Sequence, residues 1–291
     1  MKKFAYFPGC SLEKMALSYN HSAQETTREL GIELQELEDW NCCGATAYFH
    51  VDELLAYTLT ARNLAMAEQT GLDLVAPCSA CYKNAYFTRR YLTEDPDLKE
   101  HINFALEEDN LSFSGDSAVH HLMEIYVHEV GLDEISEKVT NPLNGLRVVP
   151  YYGCQILRPR KDHENVETPN FFEDLLSTIG AVPVDYAHKT RCCGGSLLLT
   201  SRDAALDMIH ILLQSAVDSE SDVIATACPL CQVNLECYQQ QVNQTHGTNI
   251  SIPVLYFTQL LGLALGIAPK KLGFGSELVP ATAVLSHAQK G

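Results

Sequence analysis

The 291-residue chain contains no uninterrupted apolar run of the roughly 18 to 20 residues that a membrane span requires. Its start, Met1-Lys2-Lys3-Phe4-Ala5-Tyr6-Phe7-Pro8-Gly9-Cys10, lacks the apolar core of a secretory signal, because Pro8 and Gly9 cut the run short. The two absences together predict a cytoplasmic protein. Basic residues are scarce, with 20 Lys and Arg against 37 Asp and Glu and a formal charge of −17. Such a chain repels nucleic acid and anionic membrane surfaces, both of which need clustered cations. Solubility is the plain reading of the acidity. Low-complexity segments are absent, and so is any Gly-rich pattern for a flavin or a nucleotide. Any electrons this protein handles must therefore arrive from another protein of its complex.

Cysteine, by contrast, is abundant. Ten of the 11 cysteines form one pattern that occurs twice. The first copy is Cys10, Cys42-Cys43-Gly44 and Cys78-Ser79-Ala80-Cys81. The second is Cys154, Cys192-Cys193-Gly194 and Cys228-Pro229-Leu230-Cys231. In both copies 34 residues separate the CC pair from the CxxC pair, while the leading gap is 31 residues in the first and 37 in the second. Cytoplasmic thiols are kept reduced, so the framework reads as metal-binding or redox-active before it reads as disulfides.

The repeat extends to the segments between the cysteines. Apolar runs at Lys3–Phe7 and Arg147–Tyr152 read as strands leading to Cys10 and Cys154. Helical stretches follow at Ser22–Leu30 and Phe171–Ile179, each ending at a glycine, Gly31 or Gly180. Second strands are expected at Glu33–Leu37 and Val182–Tyr186, then helices at Val51–Glu68 and Arg202–Val217. Third strands, Leu72–Pro77 and Asp222–Ala227, run into the CxxC pairs. A weaker echo, Val119–Tyr126 and Val254–Leu261, looks like a strand end entering a helix. The alternation predicts an α/β fold of two pseudo-symmetric cysteine-rich domains, each a small parallel sheet flanked by helices. The turn Asn141-Pro142-Leu143-Asn144-Gly145 divides them into 1–145 and 146–291. The tail from Ala268 to Gly291 has little periodicity and is expected to wrap a neighbour or to be mobile. On this arrangement the cysteines fall just past strand ends, where open α/β sheets place ligands.

Structural zinc takes four ligands in a tetrahedron. Five sulfurs that include a vicinal pair fit one small ion poorly, because adjacent cysteines chelate it only with strain. They can ligate neighbouring irons, and a cubane [4Fe–4S] cluster takes four thiolates, leaving a fifth for an unusual cluster or a redox role. A strained CC disulfide and a thioredoxin-like CxxC dithiol remain alternatives for the fragments taken singly.

The whole pattern resembles the CCG cysteine-rich domain, and the two-copy chain resembles the B subunit of heterodisulfide reductase over nearly its full length. Tyr6-Phe7-Pro8-Gly9-Cys10, Tyr152-Gly153-Cys154-Gln155-Ile156-Leu157-Arg158-Pro159 and Arg191-Cys192-Cys193-Gly194-Gly195 carry the resemblance. It implies two non-cubane [4Fe–4S] clusters, one on Cys10, Cys42, Cys43, Cys78 and Cys81, the other on Cys154, Cys192, Cys193, Cys228 and Cys231. No ligand position is vacant. The 34-residue gap is slightly shorter than is usual in that family, which predicts a changed helix end rather than a lost ligand. The resemblance further implies a catalytic iron–sulfur oxidoreductase that cleaves or forms a small-molecule disulfide between the clusters, such as the coenzyme M–coenzyme B heterodisulfide or a bacterial sulfur-metabolism relative. Its partners would be the ferredoxin-like C subunit and the flavin-bearing A subunit of such a complex. Two other readings stand beside it: an electron-relay protein like those of lactate or glycolate oxidation, and a zinc-stabilised scaffold.

Several residues near the motifs invite roles. Lys83, Arg89, Arg158, Arg160, Lys161, His188, Lys189 and Arg191 could bind an anionic thiol or simply pair with acids. Asn84 and Asn234, each three residues past a CxxC, could donate to sulfur or cap helices. His188 could protonate a thiolate but reads better as a surface residue. His120, His121 and His128 read as packing or surface residues on an apolar helix. Cys237 lies outside the repeat and is expected to be a buried free thiol. Trp40 is expected to shield a cluster or to pack on the core.

Overall fold

The computed structural model describes residues 2–45, 48–158, 166 and 168–288. The first four strands are β1 (Lys2–Tyr6), β2 (Ile32–Glu36), β3 (Leu74–Ala76) and β4 (Val119–His121). The last four are β5 (Arg147–Tyr151), β6 (Val182–Pro183), β7 (Val223–Thr226) and β8 (Val254–Tyr256). They form two sheets, ordered β2-β1-β3-β4 and β6-β5-β7-β8 and parallel throughout, so the second repeats the first. The α/β class and the pseudo-symmetry are as the sequence pattern predicts.

The strand β6 is shorter than the expected Val182–Tyr186, and both it and β5 accommodate a proline. Val182 and Val184 donate to Leu146 and Val148 of the β5 side, so the intervening Pro183 faces away from the ladder. Pro150 lies within the central strand β5, beyond its paired register with β6. Its missing N–H therefore points to the side where β6 has ended, and no ladder bond is lost. Side chains alternate along β5: Val148 joins one buried cluster, Val149 and Tyr151 the other. Both faces of the strand are covered, as parallel sheets require.

The helix after β1 runs Leu17–Glu29, five residues earlier than the pattern indicates. Its buried face consists of Tyr19, Asn20, Ser22, Ala23, Thr26 and Thr27. Ser22, Thr26 and Thr27 return their hydroxyls to the carbonyls of Ser18, Ser22 and Ala23, at 2.7 Å each. Polar side chains satisfied in this way can be buried, but they hide the face from any apolar periodicity. The helix Glu53–Thr70 starts two residues later than Val51 because Asp52 is extended and its carboxylate accepts from Leu55 N at 2.9 Å.

Of the two buried clusters, the larger spans both halves and the smaller belongs to the second half alone. The larger buried cluster joins Phe4, Val75 and Tyr126 to Val148, Phe172 and Leu261. The second-half helix Phe257–Ala264 packs on Leu17–Glu29, with Thr258 and Ser22 hydroxyls 2.6 Å apart. The described part of the tail packs on the core: Leu272 and Val284 are buried, and Asn141 donates to Ala288 O at 2.6 Å. It wraps this chain itself. No helix among the described residues is long and apolar enough to cross a membrane.

Candidate functional site

In each half the leading cysteine follows the first strand, the CC pair follows the second and the CxxC pair follows the third. All are therefore gathered at the C-terminal edge of a parallel sheet. All ten are free thiols. Cys10 and Cys42 sulfurs lie 3.9 Å apart, Cys43 and Cys81 3.3 Å, and Cys193 and Cys231 3.5 Å. Hydrogen bonding with Cys10 brings Cys42 down to about 2, while the same contact pushes Cys10 well up. Cys154 and Cys192 repeat this sharing, with Cys192 lowered to about 6. Cys42 in turn raises the buried Cys43 to about 12. Thiols this crowded cannot all ionise without a cation among them.

The glycine before each leading cysteine makes the crowding possible. Gly9 and Gly153 have φ of +72° and +67°, which disfavours any side chain. A Cβ on Gly9 would stand 2.8 Å from Cys81 Sγ, and one on Gly153 would stand 3.0 Å from Cys231 Sγ. Asn84 and Asn234 sit inside helices Ser79–Glu94 and Pro229–Cys237 and do not cap them. Their side-chain amides reach the CC loops instead. Asn84 donates to Cys43 O at 3.1 Å and lies 3.8 Å from its sulfur; Asn234 donates to Cys193 O at 3.0 Å and lies 3.7 Å from its sulfur.

The two sets meet at the interface between the sheets. Cys78 and Cys228 are buried and interact across the halves, and this contact raises Cys78. Cys228 is lowered, first by Cys231 and then by Cys78. Buried Tyr19 donates to Pro77 O at 2.9 Å and Ala227 O at 3.2 Å, the carbonyls just before the two CxxC pairs. Its ring stacks on Tyr256 at 4.2 Å. Ser79 adds a bond to Ala227 O at 3.0 Å and stands 3.3 Å from His121 Nε2. Desolvation lowers His121 to about 4. No spacing rule singles out Tyr19 or the Ser79–His121 pair, because each acts across the interface.

Beside this junction opens a cleft of about 280 Å³, lined by Cys154, Gln155, Cys192, Lys83, Asn84 and His50 among others. Of the cations expected near the motifs, Lys83 lines it, and exposed Arg158 acts electrostatically on Cys192. Arg89 instead ties down a loop through Ser117 O and Gly115 O, and Lys189 is held by Glu173 at 2.5 Å. Arg191 is exposed. Arg160 and Lys161 lie outside the described residues. His188 is half-buried edge-on to Tyr186. His120 and His121 belong to β4 and not to a helix; His120 lies 3.8 Å from Asp73, while His128 is exposed. Cys237 is exposed, contrary to expectation, because it ends its helix where the chain turns at Tyr238. Trp40 packs edge-on to Phe7 at 5.5 Å, on the core side. Sequence reasoning missed His50, and also Thr60 and Asn63, which hold Cys43 O and the backbone of Asn41.

Five free thiols per half, carried by three loops, suit a group with several metal atoms. Among the described residues no three His, Cys, Asp or Glu side chains close on a single metal ion. The profile of the family described as "CCG: Cysteine-rich domain" matches residues 4–84 and 148–236, well over half of the chain. A protein of Wolinella succinogenes named "8-methylmenaquinol:fumarate reductase membrane anchor subunit" is 37% identical over 97% of this chain and 98% of its own. The B subunit of the ferredoxin:CoB-CoM heterodisulfide reductase of Methanosarcina mazei is 33% identical over 96% of this chain and 94% of its own. A solved structure described as a hypothetical protein from Helicobacter pylori superposes with a TM-score of 0.78 at 16% identity, over 96% of this chain and 52% of that one, and so shares the fold. The chain therefore belongs to the CCG cysteine-rich domain family, as a two-copy member related to the B subunits of heterodisulfide reductases.

Proposed function

We propose that this chain is the catalytic component of a heterodisulfide reductase-type complex that reduces, or in reverse forms, a small-molecule disulfide. The observation that carries this reading is the meeting of two complete five-cysteine sets at one interface, with Cys78 against Cys228 beside an open cleft. Cys10, Cys42, Cys43, Cys78 and Cys81 would hold one non-cubane [4Fe–4S] cluster, and Cys154, Cys192, Cys193, Cys228 and Cys231 the other, one in each unit 1–145 and 146–291. When bound, the clusters would supply single electrons in turn, two electrons and two protons converting one disulfide to two thiols. The chain's own residues fix the geometry. Gly9 and Gly153 let the leading cysteines close on the CxxC pairs, Asn84 and Asn234 hold the CC loops, and Tyr19 sets the spacing of the two sites. A ferredoxin-like C subunit and a flavin-bearing A subunit would deliver the electrons, in the cytoplasm.

A second reading is favoured by the 37% identity to a component of a menaquinol:fumarate reductase. There the same clusters would relay electrons between other proteins of the complex without meeting a disulfide. Anaerobic iron, sulfide and zinc analysis with paramagnetic resonance, with and without disulfides and thiols, separates the readings. Roughly eight irons per chain and a signal that changes with thiol are expected. Cluster signals indifferent to every thiol favour the relay. Four or fewer irons at full occupancy refute two clusters, and zinc without iron refutes both redox readings.

A further inference from the structure

The cleft is uneven in charge. Lys83, two residues past Cys81, lines it together with Gln155 and all five cysteines of the other half's set, so the cleft takes in the second cysteine site itself. The pseudo-symmetric position, two residues past Cys231, is Val233, which lines a different groove beside Met15 and Cys237. One half thus reaches across to place an ammonium against the other half's cysteines, and at the equivalent position of the second half stands an uncharged valine.

Among the described residues Lys83 also lacks the carboxylate partner that a half-buried cation normally has. Its Nζ stands 5.9 Å from the centre of the Phe49 ring. The cations that tie down structure differ visibly: Lys189 has Glu173, and Arg62 has Asp39 and Asp109. An ammonium withdrawn from water with three donors unspent favours an arriving anion. The need is sharper in a chain of net charge −17, whose overall field disfavours acidic small molecules.

We propose that Lys83 is a specificity-determining residue: it binds the carboxylate, sulfonate or phosphate of an acidic thiol or disulfide whose sulfur lies against the second cysteine set. This rests on the disulfide reading above. Lys83 positions the substrate and takes no part in breaking the S–S bond.

The test compares the holoprotein with its Lys83→Met and Lys83→Arg variants. Reduced methyl viologen serves as electron donor, with dithiodiglycolate as the acidic disulfide and 2-hydroxyethyl disulfide as the neutral one. Thioglycolate and 2-mercaptoethanol binding is measured in parallel by calorimetry, which needs no turnover. Lys83→Met is expected to lower the acidic-to-neutral ratio of kcat/KM, and of affinity, roughly tenfold or more, while Lys83→Arg recovers most of it. Ratios that stay within about twofold of wild type, with iron content intact, overturn the proposal. So does loss of iron from Lys83→Met with an unchanged binding ratio, since the lysine would then be balancing cysteine charge. If wild type reduces neither disulfide yet binds thioglycolate through Lys83, the disulfide reading falls and the anion site stands.

Discussion

At Gly9 and Gly153 the backbone and the neighbouring sulfur make the same demand. A left-handed conformation costs a residue with a side chain about 1–2 kcal/mol, and the added carbon would also press on Cys81 or Cys231. Gly9→Ala is expected to strip one cluster's worth of metal, about four irons, and Gly153→Ala the other. Iron per chain after anaerobic reconstitution checks this, and equal losses from both clusters in either variant would contradict it. The ten cysteines were legible because their spacing repeats; the demand on the two glycines was not, because the sulfur each would press on comes from a distant loop. The surroundings of Cys237 and Lys83 were not legible. Exposure and the absence of a carboxylate depend on which distant segments pass by, and no local spacing records that.

The elements between the cysteines act as handles on the loops that carry them. Asp52 caps the helix Glu53–Thr70, and that helix in turn holds the first CC loop through Thr60 and Asn63. Asp52→Ala is expected to destabilise the fold by about 1 kcal/mol and to speed amide exchange at Leu55, read by hydrogen exchange. An unchanged Leu55 amide would show that the cap contributes nothing. Most strands and most helices were readable from period and punctuation, whereas the strand order was not. The start of Leu17–Glu29 was not, because its buried face is built from serine and threonine, whose hydroxyls are satisfied within the helix. The true length of β6 shows only in its pairing with β5.

Across the whole molecule the two halves are locked by buried polar groups. Burial holds His121 neutral, its pKa falling from 6.5 to about 4. Below pH 6.5 the unfolded chain takes up a proton that the folded one refuses. Stability should therefore fall as the pH drops from 6.5 through about 4, by about 3 kcal/mol in full. His121→Asn should flatten that slope in urea titrations at stepped pH, and an unaltered slope would remove His121 from the account. Duplication was visible in the sequence, whereas the buried cluster that spans both halves was not, since repeats alone also fit two separate globules. The packing of Leu17–Glu29 carries one more consequence, for the order in which the chain is made. The residues that cover this helix, Tyr256, Thr258 and Leu272, are synthesised long after it. At typical elongation rates the interval is about 10 to 50 s. A leucine-rich face would spend that time inviting aggregation. A face of Ser22, Thr26 and Thr27 can wait in water, and the cysteine sites it helps to shape cannot be completed until those later residues have been made.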